Sequence, residues 1–503
     1  MLSALLCALA LAAPLQTPPA KPDDAKSAAA KDALPDDEKT IQTPHEITVN
    51  GAKIAYTSTV GFMPIRNKQN ETEGRIFFTA YTKVGVPAGE KRPLLFAFNG
   101  GPGSASLWLH IGAIGPRRVK LLDDGNLPPP PYGLVDNEST WLDKADLVFI
   151  DPIGTGYSRA SKPELGPKFW GVEGDLDSVG EFVRMYISRN ERWNSPLFVA
   201  GESYGTTRAA ALSERLLDNG IALNGVLLIS SVLNFALDDT QRGHDSSFSL
   251  FLPTYAAAAW YHHKLGGTGR DLKKILSEAE TWAAADYPAA LAKGDTLIAS
   301  EREQALNKLN SLTGLEKRYL ENADLRVSPD YFEKELLRSE KRTIGRYDSR
   351  IKGIDESGIS PNADYDASYA AVRAPFTTAF NQYLRGELGY KTDTPYFVLG
   401  EGISAPWNWG RGGPGSLNVA PRLRSAMVQN PYMKVFFAGG HYDLATPYYA
   451  AKYTVNHMGL EPNLRKNITF AEYEAGHMMY IETASRLKLK ADVAAFLDSA
   501  ASK

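Results

Sequence analysis

The chain has 503 residues, and 55 Lys plus Arg against 58 Asp plus Glu leave a formal net charge of −3. That near-balance speaks against a surface built to coat nucleic acid or an anionic membrane, since both leave a basic excess. With 43% hydrophobic and 22% charged residues, the apolar material suffices for a sizeable core, in two to four domains or one elaborated one, and excludes wholesale disorder and a polytopic membrane protein.

Residues 2–15 carry no charge. The run is shorter than the roughly 20 residues a spanning helix needs. Ala8/Ala10 and Ala10/Ala12 offer A-x-A cleavage sites, so residues 1–13 read as a secretory signal peptide, although the first segment has no Lys or Arg. Cys7, the sole cysteine, follows Leu6 where a lipidated signal would place a small residue, so no membrane anchor is expected after cleavage. The mature chain would then hold no cysteine, which removes disulfides, Cys-type zinc sites and a Cys nucleophile. Residues 14–44, rich in Ala, Pro, Lys and Asp, read as a disordered leader. The signal peptide makes the protein exported, periplasmic or secreted, and the lack of disulfides leans toward a bacterial periplasm.

Order is expected from His45, with Ile47 and Val49 facing Ile54 and Tyr56 across an Asn50-Gly51 hairpin turn. Residues 75–82 form a further β-rich run. Short apolar segments at 94–98, 146–150, 197–200, 226–229, 434–438 and 468–473 read as buried strands separated by helical patterns, which is the signature of an α/β fold with a mostly parallel sheet. The first part of that domain covers 45–236 and the second 394–503. Between them, 237–393 is largely helical and reads as an inserted cap; in it Leu272, Ile275, Leu276, Ala279 and Trp282 form one helix face.

Gly201-Glu202-Ser203-Tyr204-Gly205 matches G-x-S-x-G, weak alone, but it joins the strand at 196–200 to a helical run over 206–219 closed by Gly220. A strand–Ser–helix turn pushes the hydroxyl out at the sheet's edge beside a helix N-terminus. Serine needs a base, and histidine serves near neutral pH. In the order Ser…Asp…His the late histidines are His441, His457 and His477. His477 follows a strand, where catalytic groups of α/β folds collect, whereas His457 sits near a helix C-terminus. Asp443, just past the strand at 434–438, is placed to orient the imidazole, with His441 a bystander. Asn99-Gly100-Gly101-Pro102-Gly103 follows another strand, and an N–H there could join that of Tyr204 in an oxyanion hole.

These pieces, with Gly115-Pro116, Ser139-Thr140-Trp141, DPIGTGYS at 151–158 and Gly476-His477, occur in an order that resembles the serine carboxypeptidase family (peptidase family S10), here in a bacterial-type member. The resemblance spans 99 to 477 and implies an α/β-hydrolase fold with a helical cap, and an exported enzyme that releases C-terminal residues from peptides with a free C-terminus, without cofactor or metal. It implies a triad of Ser203, Asp443 and His477, oxyanion donors at Gly101 and Tyr204, and a substrate-carboxylate site at Asn99, Gly100 and Glu202. The sequence departs from the family in three places: Ala97 stands for a Trp, Ser104 and Ala105 for Cys and Ser, and Ala113 for a Glu that would neighbour Glu202. Without that neighbour Glu202 is expected to titrate closer to an ordinary carboxylate, with activity extending less into acid. The alternatives are an esterase or acyltransferase on the same triad, or a binding protein on an inactive frame. Tyr255, Trp260, Trp407 and Trp409 are aromatic candidates near the cleft, each more readily explained as packing.

Overall fold

The computed structural model describes residues 39–502 apart from 88, 242, 267 and 268. The signal peptide read over 1–13 and most of the leader read over 14–44 lie outside the described residues. Strand β1 (Ile41–Val49) starts inside the expected leader, ahead of His45. Backbone pairing rather than apolar content carries it there: its register on β2 (Ala52–Arg66) runs from Ile41 opposite Val60 to Val49 opposite Ala52. The turn between them has Asn50 and Gly51 at φ of +50° and +78°, the left-handed pair that a two-residue hairpin turn needs.

The remaining long strands are β3 (Thr72–Lys83), β4 (Leu94–Phe98), β5 (Asp146–Ile150), β6 (Leu197–Ser203), β7 (Gly225–Ser231), β8 (Lys434–Gly440) and β9 (Ile468–Tyr473). They run β1-β2-β3-β5-β4-β6-β7-β8-β9 in a ten-stranded sheet, the tenth piece being a short pairing of Arg159–Ala160 with β3. The pairings from β5 through β9 are parallel, and those of β1, β2 and β3, including β3 on β5, are antiparallel. The chain has the α/β-hydrolase fold. Every residue of β4 and β5 is buried, because alternate side chains go to opposite faces and both faces are covered. Leu95, Ala97, Leu147 and Phe149 enter one core, and Leu94, Phe96, Val148 and Ile150 the other.

Seven helices matter here: α1 (Val172–Arg189), α2 (Tyr204–Asp218), α3 (Ser246–Tyr261), α4 (Leu272–Ala284), α5 (Ala299–Thr313), α6 (Ala367–Gly386) and α7 (Thr483–Ala501). α1 and α2 cover one face of the sheet, and α6 and α7 contribute to the other. The five-residue stripe read on α4 is buried. Three of its members, Ile275, Ala279 and Trp282, share a separate core with Leu252 and Tyr255 of α3 and Leu309 of α5. α6, read as part of the same insertion, instead sends Val372, Phe376 and Phe380 into the core of the sheet. Among the described residues no helix is long and apolar enough to cross a membrane.

Candidate active site

β6 turns into α2 at Ser203, whose backbone lies at φ +60° and ψ −130°. A non-glycine residue there is strained, and such strain persists only where the surroundings enforce it. The enforcement is close packing. A Cβ on Gly201 would fall 2.0 Å from the Gly205 carbonyl oxygen, and one on Gly205 would fall 2.9 Å from that of Phe98. The glycine loop after β4 passes equally close, since a Cβ on Gly100 would fall 2.4 Å from the Tyr204 nitrogen. Gly101, at φ +104°, takes a conformation that favours glycine. The first amides of α2 have no intrahelical acceptor, so the serine sits at the positive end of a helix.

His477, just past β9, holds Asp443 Oδ2 at 2.7 Å from its Nδ1. Asp443 is fully buried, and its Oδ1 accepts from the backbone N–H groups of Ala445 and Thr446 at 2.8 and 3.0 Å. The Thr446 hydroxyl lies 2.8 Å from Asp443 Oδ2 and 3.1 Å from His477 Nδ1. The backbone of His477 is pinned too: its N–H donates to the Tyr347 carbonyl at 2.6 Å, and its carbonyl accepts from the Ser230 hydroxyl at 2.6 Å. With Nδ1 engaged by the carboxylate, Nε2 is the ring nitrogen that remains for another partner. Burial disfavours charge on this imidazole, yet the Asp443 carboxylate and, further off, Glu202 outweigh it and hold His477 above its ordinary value. Among the described residues no hydrogen bond joins Ser203 Oγ to the imidazole, though both side chains line one cavity of about 250 Å³.

Asn99, Gly100, Gly101, Glu202 and Tyr204 line that cavity as well. The Asn99 side-chain amide donates to Glu202 Oε1 at 3.0 Å, and Asn99 Oδ1 accepts from the Leu109 backbone. From below, the buried Arg208 guanidinium donates to the Asn99 carbonyl at 2.7 Å and to Asp175 at 2.6 Å. Glu202 is 4% exposed, and this overturns the expectation of an ordinary carboxylate. Burial pushes its carboxyl up to about 7, against the opposing pull of His477 and the Asn99 amide, without any need for a carboxylate at Ala113.

Reading the sequence alone left out Trp108, Asp238, Arg346 and Tyr347, which also line the cavity, and Thr446 at the acid. The Asp443-x-x-Thr446 spacing was a signal for the last. Trp108 lies five residues past the glycine loop, whereas Asp238, Arg346 and Tyr347 come from segments that only the fold brings near. Of the four aromatics singled out, Tyr255 and Trp260 bond backbone carbonyls of Val327 and Arg270, and Trp407 and Trp409 pack edge-on against Tyr204. His441 faces Glu472 at 3.2 Å, and His457 bonds the carbonyl of Tyr453. The 151–158 motif braces the glycine loop: Asp151 Oδ1 accepts from the Ser106 N–H at 2.8 Å, while the Ser158 hydroxyl donates to the Asp151 carbonyl at 2.6 Å.

The profile of the peptidase S10 serine carboxypeptidases matches residues 50–307. The chain belongs to the serine carboxypeptidase family. It is therefore an enzyme, a serine-type carboxypeptidase by class. Among its relatives, serine carboxypeptidase-like 46 of Arabidopsis thaliana is 23% identical over 61% of this chain and 72% of its own length. A pheromone-processing carboxypeptidase KEX1 from Arthroderma otae is 31% identical over 27% of this chain and 19% of its own length. In fold it is similar to the crystal structure of KEX1(delta)P, a prohormone-processing carboxypeptidase from Saccharomyces cerevisiae, at TM-score 0.54 and 17% identity, covering 88% of this chain and 91% of that one.

Proposed function

We propose that this family member is exported and removes single residues from the free C-terminus of peptides through an acyl-enzyme on Ser203. In this reading Ser203 Oγ attacks the carbonyl of the last peptide bond while His477 Nε2 takes its proton. The oxyanion develops toward the amides of Gly101 and Tyr204. His477 returns the proton to the departing amino group, and water then repeats the sequence to release the shortened acid. Contacts of this kind often tighten only on substrate binding, in keeping with the open Ser203–His477 pair. Export rests on residues 1–13, with periplasm or medium as destination.

The observation that carries the reading is the Asn99–Glu202 pair, buried and in the same cavity as Ser203 and His477. Two carboxyl groups can share one proton, and a Glu202 that keeps its proton to about 7 can meet a substrate carboxylate without repulsion. Ala97 and Ala113, both buried, leave the pair without the family's Trp and second Glu, which favours ester hydrolysis or acyl transfer as the second reading. An N-blocked dipeptide tested as free acid and as amide, beside a nitrophenyl ester and the Ser203→Ala variant, separates them. Release from the free acid well above the amide, abolished in Ser203→Ala, is expected. Rapid ester cleavage with both peptides untouched would give the site to the second reading.

A further inference from the structure

Tyr480 lies three residues beyond His477, in the short turn Met479–Ile481, and is 1% exposed. Its hydroxyl is buried beside the side chains of Glu202 and Asn99, near enough to act on both as a hydrogen-bonding neighbour, yet neither it nor the equally buried Glu202 Oε2 reaches the geometry of a completed bond. Unsatisfied buried polar atoms are uncommon and each is costly. Two of them side by side, one a donor and one an acceptor, mark a bond poised to close. The ring's seat is made for it, since a Cβ on Gly112 would fall 2.5 Å from Tyr480 Cε2. Packing alone accounts for the ring and leaves the hydroxyl unexplained, because a phenylalanine would fill the same space.

We propose that the Tyr480 hydroxyl is the positioning group for Glu202, closing onto Oε2 while the Asn99 amide holds Oε1 and so aiming the carboxyl group at the substrate's C-terminus. This rests on the reading of Glu202 as the partner of the terminal carboxylate. Tyr480 does not line the catalytic cavity and acts through Glu202. The groups that face Glu202 are Asn99, Tyr480, His477, Asp443 and, from the segment preceding α6, Tyr347. A hydroxyl donating to Oε2 favours the ionised carboxyl, as the charge on His477 does, so Tyr480 also sets the pH at which Glu202 gives up its proton.

The test is Tyr480→Phe, which keeps the ring, assayed on an N-blocked dipeptide acid and on a nitrophenyl ester that carries no carboxylate. For the acid, KM should rise about threefold to tenfold, the worth of one hydrogen bond, with kcat little changed and the alkaline limb of kcat/KM moved to higher pH. Ester turnover should stay as in the wild type, which also reports that the variant is folded. If the phenylalanine disturbs folding, 3-fluorotyrosine at position 480 replaces it. That more acidic hydroxyl should move the limb the other way, to lower pH. An unmoved limb and KM, or equal losses on acid and ester, would overturn the proposal. Glu202→Gln is run in parallel: if it keeps the wild-type alkaline limb on the acid substrate, the reading of Glu202 itself fails. If it abolishes that limb while Tyr480→Phe changes nothing, only the role of Tyr480 fails.

Discussion

Replacing Glu202 with Gln should reshape the pH dependence of peptide release in a way fixed by burial. In the wild type the carboxyl keeps its proton up to about 7. Above that, a charged Glu202 faces a charged C-terminus, and kcat/KM on a free-acid peptide should fall tenfold per pH unit. Two units higher the loss is about 100-fold, or roughly 2.7 kcal/mol. Glutamine cannot ionise, so this limb should vanish. The acid limb should stay in place, because Glu202 already holds its proton there and lends His477 no charge. Stability gives an independent check. A carboxyl whose folded value is raised from 4.5 to about 7 favours the fold fully below 4.5 and loses that advantage as pH rises through 7. The change amounts to about 3 kcal/mol. Glu202→Gln should therefore match the wild type below pH 4 in a denaturant melt and exceed it at pH 9. The decisive assay is kcat/KM from pH 4 to 9 on matched acid and amide substrates. A variant that keeps the wild-type alkaline decline, or a wild type that declines near 4.5, would refute the argument.

Other perturbations follow from the same contacts. Thr446→Val removes the hydroxyl shared between Asp443 Oδ2 and His477 Nδ1; kcat should drop about tenfold at unchanged KM, consistent with one hydrogen bond, as steady-state kinetics would record. Gly201→Ala places a Cβ 2.0 Å from the Gly205 carbonyl, so the elbow must open, and both Tm and ester turnover should fall together. Asp175→Asn leaves the buried Arg208 without its carboxylate partner and should destabilise the fold by about 3–5 kcal/mol in equilibrium unfolding. It should also raise KM, because Arg208 supports the Asn99 carbonyl.

What the sequence made legible is what local pattern encodes. Ser203 could be read because a glycine-flanked serine stood between an apolar strand and an uninterrupted helix. His477 and Asp443 could be read because each follows a strand in the right chain order. The structure then joins the last two at 2.7 Å. The titration of Glu202 was misjudged for a physical reason: the expectation counted a missing neighbour at Ala113, whereas desolvation, which no single residue reveals, is the larger influence. Arg346 and Tyr347 reach the cavity from the segment before α6 only through tertiary packing. The start of β1 at Ile41 was hidden because its pairing partner, not its own composition, makes it a strand.

The most direct test of the central claim is to follow one unlabelled peptide by mass spectrometry as the enzyme acts on it, beside the same peptide amidated at its C-terminus. The account predicts a ladder of products shortened one residue at a time from the C-terminus, no ladder from the amide, and neither from Ser203→Ala. Internal fragments, or equal trimming of the acid and the amide, would contradict it.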